Sequence, residues 1–193
     1  MGVSGARAVL LEGHMQRARD VIFDTNALIT ACKFSVRGRR IVAWIPQTCA
    51  LVVPEAVGQE ATRSRLRHED AAVAAELITS GRIRVSHAIV LPDSFLHAYD
   101  LGGGEKEAIA LCMDHPEPLA TLVTDDKLAY VVCDRVGIRK RLFLDFVLDL
   151  VRDREFPVDL AEEAIQACGP RYSRGFVMHS LVLLQEVERQ WQN

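Results

Sequence analysis

Apolar and polar positions along this chain follow two alternating periods. Short apolar runs end at an acid, a glycine or a proline, and longer stretches repeat their apolar residues at helical spacing. Val21, Ile22 and Phe23 read as a buried strand that ends at Asp24, with a helix from Asn26. A second helical stretch is predicted over 37–44, closed by Pro46. Residues 50–53 read as another buried strand, and Pro54 suits the first turn of a helix running to about Leu66. Residues 69–79 are alanine-rich and helical by propensity, with Gly81 as the stop. Ile83 and Val85 alternate with Arg82, Arg84 and Ser86, as in a strand with one exposed side. A further helix begins near Gly104 and ends before Pro116. Residues 119–124 are strand and 126–136 helix, ended by Gly137. From Leu142 onward the pattern is mostly helical, with breaks at Pro157, Gly169 and Pro170.

Strands and helices alternating at these lengths predict an α/β domain with a central, mainly parallel sheet flanked by helices. The expected organisation is a leader over 1–19, poorly ordered or a short helix, a domain over 20–150, and a C-terminal helical extension over 151–193 that packs on it. A chain of 193 residues, 49% of them hydrophobic, has enough apolar side chains for one full core. A net charge of -3 excludes a polybasic nucleic-acid binder but leaves room for a local basic face. Five scattered cysteines without a CxxC pair argue against zinc and disulfides and for free thiols in a reducing cytoplasm. No apolar run is long enough to span a membrane and no signal peptide is evident, so a cytoplasmic location is expected. The histidines lack ligand spacing, and no serine has a Gly-x-Ser-x-Gly setting.

Four stretches carry acids where strands meet helices. Asp24 ends the first strand and is followed by Thr25 and Asn26, both able to bond backbone groups at the turn. As an isolated feature it is equally a helix N-cap. Glu60 lies a turn and a half inside the helix after the second strand, too deep for the helix dipole to account for it, and the ordinary alternative for a lone Glu there is an exposed helix acid. Glu105 and Glu107 stand two apart at the start of a helix, just after the glycines 102–104, where compensation of the helix dipole explains one acid better than two. Asp125 and Asp126 follow Thr124 at the end of a strand, and either could be the cap with the other a ligand. Parallel strands bring the carboxyl ends of distant segments together. Gathered carboxylates repel one another unless a cation joins them, and hard cations such as Mg2+ or Mn2+ take oxygen ligands.

Taken together, these pieces resemble the PIN domain family, metal-dependent ribonucleases that include VapC-like toxins and are related in fold to the flap endonucleases. The matching residues are Asp24-Thr25-Asn26, the Pro-Glu-x-Val-x-x-Glu stretch ending in Glu60, Gly104-Glu105-Lys106-Glu107-Ala108, and Thr124-Asp125-Asp126-Lys127, in the family's order. The resemblance implies a three-layer fold and a catalytic set of Asp24, Glu60, Glu107 and Asp126. Glu105 and Asp125 are further metal candidates, and Thr25, Asn26 and Thr124 support the ligands. It also implies metal-ion hydrolysis of RNA, with Mg2+ or Mn2+ as cofactor.

An acidic site needs nearby bases to receive a polyanion. Arg37, Arg39, Arg40, Arg63 and Lys127 are the candidates for phosphate contact. The last helical stretch, with Phe176, Val177, Leu181, Leu183, Leu184, Val187 and Trp191, is apolar on more than one side. It is expected to pack on the core and to offer a surface for a homodimer or an antitoxin protein. The expected function is a metal-dependent endoribonuclease, the toxin of a toxin–antitoxin pair. The alternative is a noncatalytic module that binds RNA or protein, its acids serving as caps.

Overall fold

Val21, Ile22 and Phe23 form the centre of strand β1 (Arg19–Phe23), and Asp24 turns the chain into helix α1 (Thr25–Lys33). A hairpin of β2 (Ser35–Val36) and β3 (Arg39–Arg40) and a 3-10 turn at Ile41–Trp44 lead into β4 (Cys49–Pro54). Helices α2 (Glu55–Thr62) and α3 (Glu69–Thr79) and strand β5 (Ile83–Ser86) follow. Next come α4 (Gly103–Asp114), β6 (Thr121–Val123), α5 (Lys127–Arg135) and β7 (Lys140–Arg141). Helices α6 (Phe143–Arg152), α7 (Val158–Ala167) and α8 (Arg174–Gln192) end the fold, with a 3-10 turn at Gly169–Arg171 before the last. The structure, a computed structural model, describes residues 18–87, 96–114 and 120–192. Most of the leader expected over 1–19 and the first residue of the strand expected over 119–124 lie outside the described residues.

The main sheet has the order β5-β4-β1-β6-β7, and every neighbouring pair is parallel. From β1 the chain winds outward through β4 to β5, then returns to build β6 and β7 on the other side. Strand order therefore reverses between β1 and β6, and a crevice opens beyond their carboxyl ends.

Alternate side chains of each strand enter different cores, which makes three layers. Val21, Phe23, Leu51, Val53 and Val123 join the cluster that includes Leu28 of α1, Leu148 of α6, Ile165 of α7 and Leu184 of α8. Ile22, Val52 and Leu122 face the other way, against Ile109 of α4 and Val132 of α5. The fully buried Phe23 ring meets Phe143 and Phe146 edge-on, with centroids 6.2 and 5.6 Å apart. Helices α6 to α8 thus complete the core on one face of the sheet.

Three local expectations are corrected. Residues 37–44 are not a helix but the β2–β3 hairpin and a 3-10 turn. Arg37 and Gly38 both have positive φ, 50° and 75°, as the two-residue loop of a type I′ hairpin requires. Helix α2 stops at Thr62 rather than Leu66, and a run of i to i+3 turns carries the chain through Arg63, Arg65 and Arg67. Lys140 and Arg141 form an edge strand where no strand was expected. All five cysteines are free thiols, and among the described residues no helix is long and apolar enough to cross a membrane.

Candidate active site

Strands β1 and β6 deliver two acids to the crevice side by side. The Asp24 N–H donates to the Val123 carbonyl at 3.1 Å, so the ladder holds Asp24 beside Thr124 where both leave the sheet. Each strand then enters a helix through an aspartate cap. Asp24 Oδ1 accepts the Ala27 N–H at 2.7 Å, and Asp126 Oδ1 accepts the Ala129 N–H at 2.7 Å.

Capping accounts for only one oxygen of Asp24. The residue is 1% exposed, and its buried Oδ2 makes no hydrogen bond of good geometry. Burial pushes the carboxyl from 3.8 up to about 6, against the pull of the Ala27 N–H and the Thr124 hydroxyl, and the charges of Asp125 and Glu105 add to the rise. An unpaired buried carboxylate oxygen among like charges is an unfavourable arrangement that a cation relieves.

The neighbouring helices bring in the other acids. The buried Thr25 hydroxyl donates to Glu60 Oε2 at 2.8 Å, drawing the exposed Glu60 of α2 against the start of α1. Gly104 lets α4 close on this pair. A Cβ there would stand 3.0 Å from Thr25 Oγ1, 3.1 Å from Val57 Cγ2 and 3.3 Å from Glu60 Oε2. Gly104→Ala is therefore expected to shift the Thr25–Glu60 pair. About 1 kcal/mol of helix propensity is gained against about 1–3 kcal/mol of overpacking. Denaturant unfolding should give a net loss of up to about 2 kcal/mol, with a larger relative fall in any activity of the site.

The two doubled acids separate in the structure. Glu105 sits in the first turn of α4, folded back against Gly102, and its charge reaches Asp24. Glu107 points elsewhere: its Oε2 accepts the Ala56 N–H at 2.9 Å, satisfying a donor at the start of α2. Asp125 is likewise engaged at both oxygens, accepting the Phe143 N–H at 3.0 Å and the Tyr172 hydroxyl at 2.5 Å. Asp126 spends one oxygen on its cap, while its own N–H donates to Thr124 Oγ1 at 3.1 Å. Asn26 Oδ1 accepts from Arg171 Nη2 at 2.8 Å.

Among the described residues no three Asp, Glu, His or Cys side chains stand close enough to enclose an ion. Mg2+ asks for less, since it keeps several waters and is commonly held by one or two carboxylates. The unpartnered Asp24 Oδ2 is a hard oxygen donor of that kind, and the charge around it favours a cation. The residues present fit a divalent ion on those grounds.

The expected phosphate-binding bases differ in availability. Arg37 is held by Asp159 and Glu163 at 2.6 Å each, Arg40 by Glu69 at 2.6 Å, and the Arg39 guanidinium lies 4.4 Å over the Trp44 ring. Arg63 and Lys127 are exposed, and among the described residues neither has a carboxylate partner. Arg63 continues the α2 geometry three residues after Glu60, so the two share one flank of the helix.

Sequence reasoning missed Gly104 as a packing position, and it missed Arg171 and Tyr172 altogether. The glycine run signals a turn, and nothing in it distinguishes the one glycine that α1 and α2 press against. Arg171 and Tyr172 follow a helix break, and their partners lie 145 and 47 residues away.

Residues 20–186 match the family model DUF3368, described as a PIN domain. No curated protein matches the chain significantly. The match takes in the whole main sheet but for the first residue of β1, and α8 as far as Glu186, and with it comes a nuclease type of function, the general activity of PIN domains. The chain belongs to the PIN domain family.

Proposed function

We propose that the protein is a divalent-metal-dependent endoribonuclease that hydrolyses RNA phosphodiester bonds. The observation that carries this reading is the buried, unpartnered Oδ2 of Asp24 at the switch point of the sheet. Asp24 would hold Mg2+ or Mn2+ together with Glu105, whose charge reaches it, and with waters that Glu60 and Asp126 would help to orient. The ion supplies Lewis-acid activation of water and neutralisation of charge on the scissile phosphate. The protein's own part is placement. The Ala27 N–H fixes one Asp24 oxygen and leaves the other free of a well-formed hydrogen bond, and the Thr25 hydroxyl fixes Glu60 against the start of α1. Thr124 anchors the turn before Asp126. Glu107 accepts an N–H at the start of α2, which carries Glu60, and Asp125 accepts one at the start of α6, which packs against Phe23 of β1. The toxin of a toxin–antitoxin pair is the finer form of this proposal, supported by the resemblance to VapC-like toxins.

A second reading has its own support: Asp24, Asp126, Glu107 and Asp125 each accept a helix N-terminal N–H, as the acids of a noncatalytic binding module would. Incubation with a mixed single-stranded RNA pool separates the two. Cutting in Mg2+ or Mn2+ that stops in EDTA is the expected result. RNA bound but left intact in both metals would give the binding module precedence.

A further inference from the structure

The C-terminal turn reaches back to both strand-end turns. Arg171 Nη2 donates to Asn26 Oδ1 at 2.8 Å, and Asn26 lies two residues beyond Asp24. The next residue, Tyr172, donates its hydroxyl at 2.5 Å to Asp125, the neighbour of Asp126. One dipeptide thus ties together the two turns that carry the site.

Tyr172 is the fixed half of this pair. Its ring lies edge-on to Phe176, with centroids 5.6 Å apart, and its Asp125 partner is pinned a second time by the Phe143 N–H. Arg171 is the free half. Its guanidinium is exposed and rests on a neutral amide oxygen, and among the described residues no carboxylate pairs with it. Elsewhere Arg19, Arg37, Arg40, Arg84, Arg141 and Arg152 each face a carboxylate, which cancels much of their charge. A guanidinium carries five donors, and one hydrogen bond to an amide leaves both its charge and most of its donors available. Planar, forked donors of this kind suit a phosphate, to which they bond in pairs.

We propose that Arg171, set beside the acid cluster by Asn26 and Tyr172, binds a phosphate of the RNA strand next to the bond being cut. The proposal rests on the ribonuclease reading and adds to it a substrate contact from the C-terminal segment. Arg171 is a binding residue here and Tyr172 a positioning residue.

The test uses the full chain carrying Asp24→Asn, so that RNA stays intact, and a fluorescent single-stranded RNA titrated over a series of salt concentrations. Arg171→Ala in that background is expected to weaken binding about tenfold and to flatten the plot of log affinity against log salt by about 0.7, the value of one phosphate contact on a single strand. Arg152→Ala removes the same formal charge from a site already paired with Asp149, and it should leave both quantities unchanged. A lowered melting temperature with unaltered affinity and salt slope in Arg171→Ala would mark a purely structural contact and overturn the proposal. If that happens while the wild type still cuts RNA, the ribonuclease reading stands alone. A wild type that neither cuts nor binds RNA removes both.

Discussion

Replacing Asp24 with asparagine is expected to cost cleavage at least about 100-fold while making the metal-free protein more stable. The loss follows from the role of the carboxylate: groups that merely orient a metal ligand are worth roughly 10–100-fold, and a ligand is worth no less. The gain follows from its environment. Asp24 is fully buried, and its carboxyl is pushed from 3.8 to about 6 chiefly by that burial. Between those values the folded chain keeps a proton that the unfolded chain has released. Stability therefore falls as pH rises through this window and levels off above it. The penalty at neutral pH is at most about 3 kcal/mol. Asparagine keeps the oxygen that caps Ala27, so the helix start survives. Urea unfolding in EDTA should show the variant more stable at pH 7.5, with the difference shrinking toward pH 4. A variant equally stable or weaker at pH 7.5, with its helix intact, would remove the strain attributed to Asp24.

The second large effect separates Glu105 from Glu107. Glu105→Gln should reduce cleavage about as severely as the Asp24 change and leave stability the same or higher, because it removes a charge that opposes ionisation of Asp24. Glu107→Ala should act on the fold instead. It takes the acceptor from the Ala56 N–H, at a cost of about 1–2 kcal/mol, and cleavage should fall less than about tenfold where the protein remains folded. Glu107→Gln retains an acceptor oxygen and should restore most of that stability. Cleavage abolished by Glu107→Gln in a folded protein would instead make Glu107 the metal ligand.

These contrasts also show which parts of the site were legible in the chain. The run from Val21 to Asp24, the alanine-rich α3 with its stop at Gly81, and the entry from β6 into α5 are all written locally. A buried run, a capping acid and a left-handed glycine need no distant partner to be read. The hairpin at 35–40 is not local in that sense. An Arg-Gly pair is a weak type I′ signal, and the positive φ of Arg37 occurs where Asp159 and Glu163, more than 120 residues away, hold its side chain. Strand β7 is two charged residues long and is defined by its pairing with β6. The acids of the site were visible as types and positions, but their division of labour was not. Spacing cannot reveal that Glu107 faces the Ala56 N–H or that Asp125 is spent on Phe143 and Tyr172, because those partners arrive from other layers of the fold.

Calorimetric titration of the metal-free chain with Mn2+ tests the central claim most directly, since it asks whether Asp24 receives a divalent ion without requiring the right RNA. The expected result is saturable binding that Asp24→Asn abolishes. Proton release should accompany it near pH 6, where the Asp24 carboxyl is partly protonated, and fade by pH 8. Mn2+ bound equally well by both proteins, or by neither, would contradict the assignment of Asp24 as the anchor of the metal site.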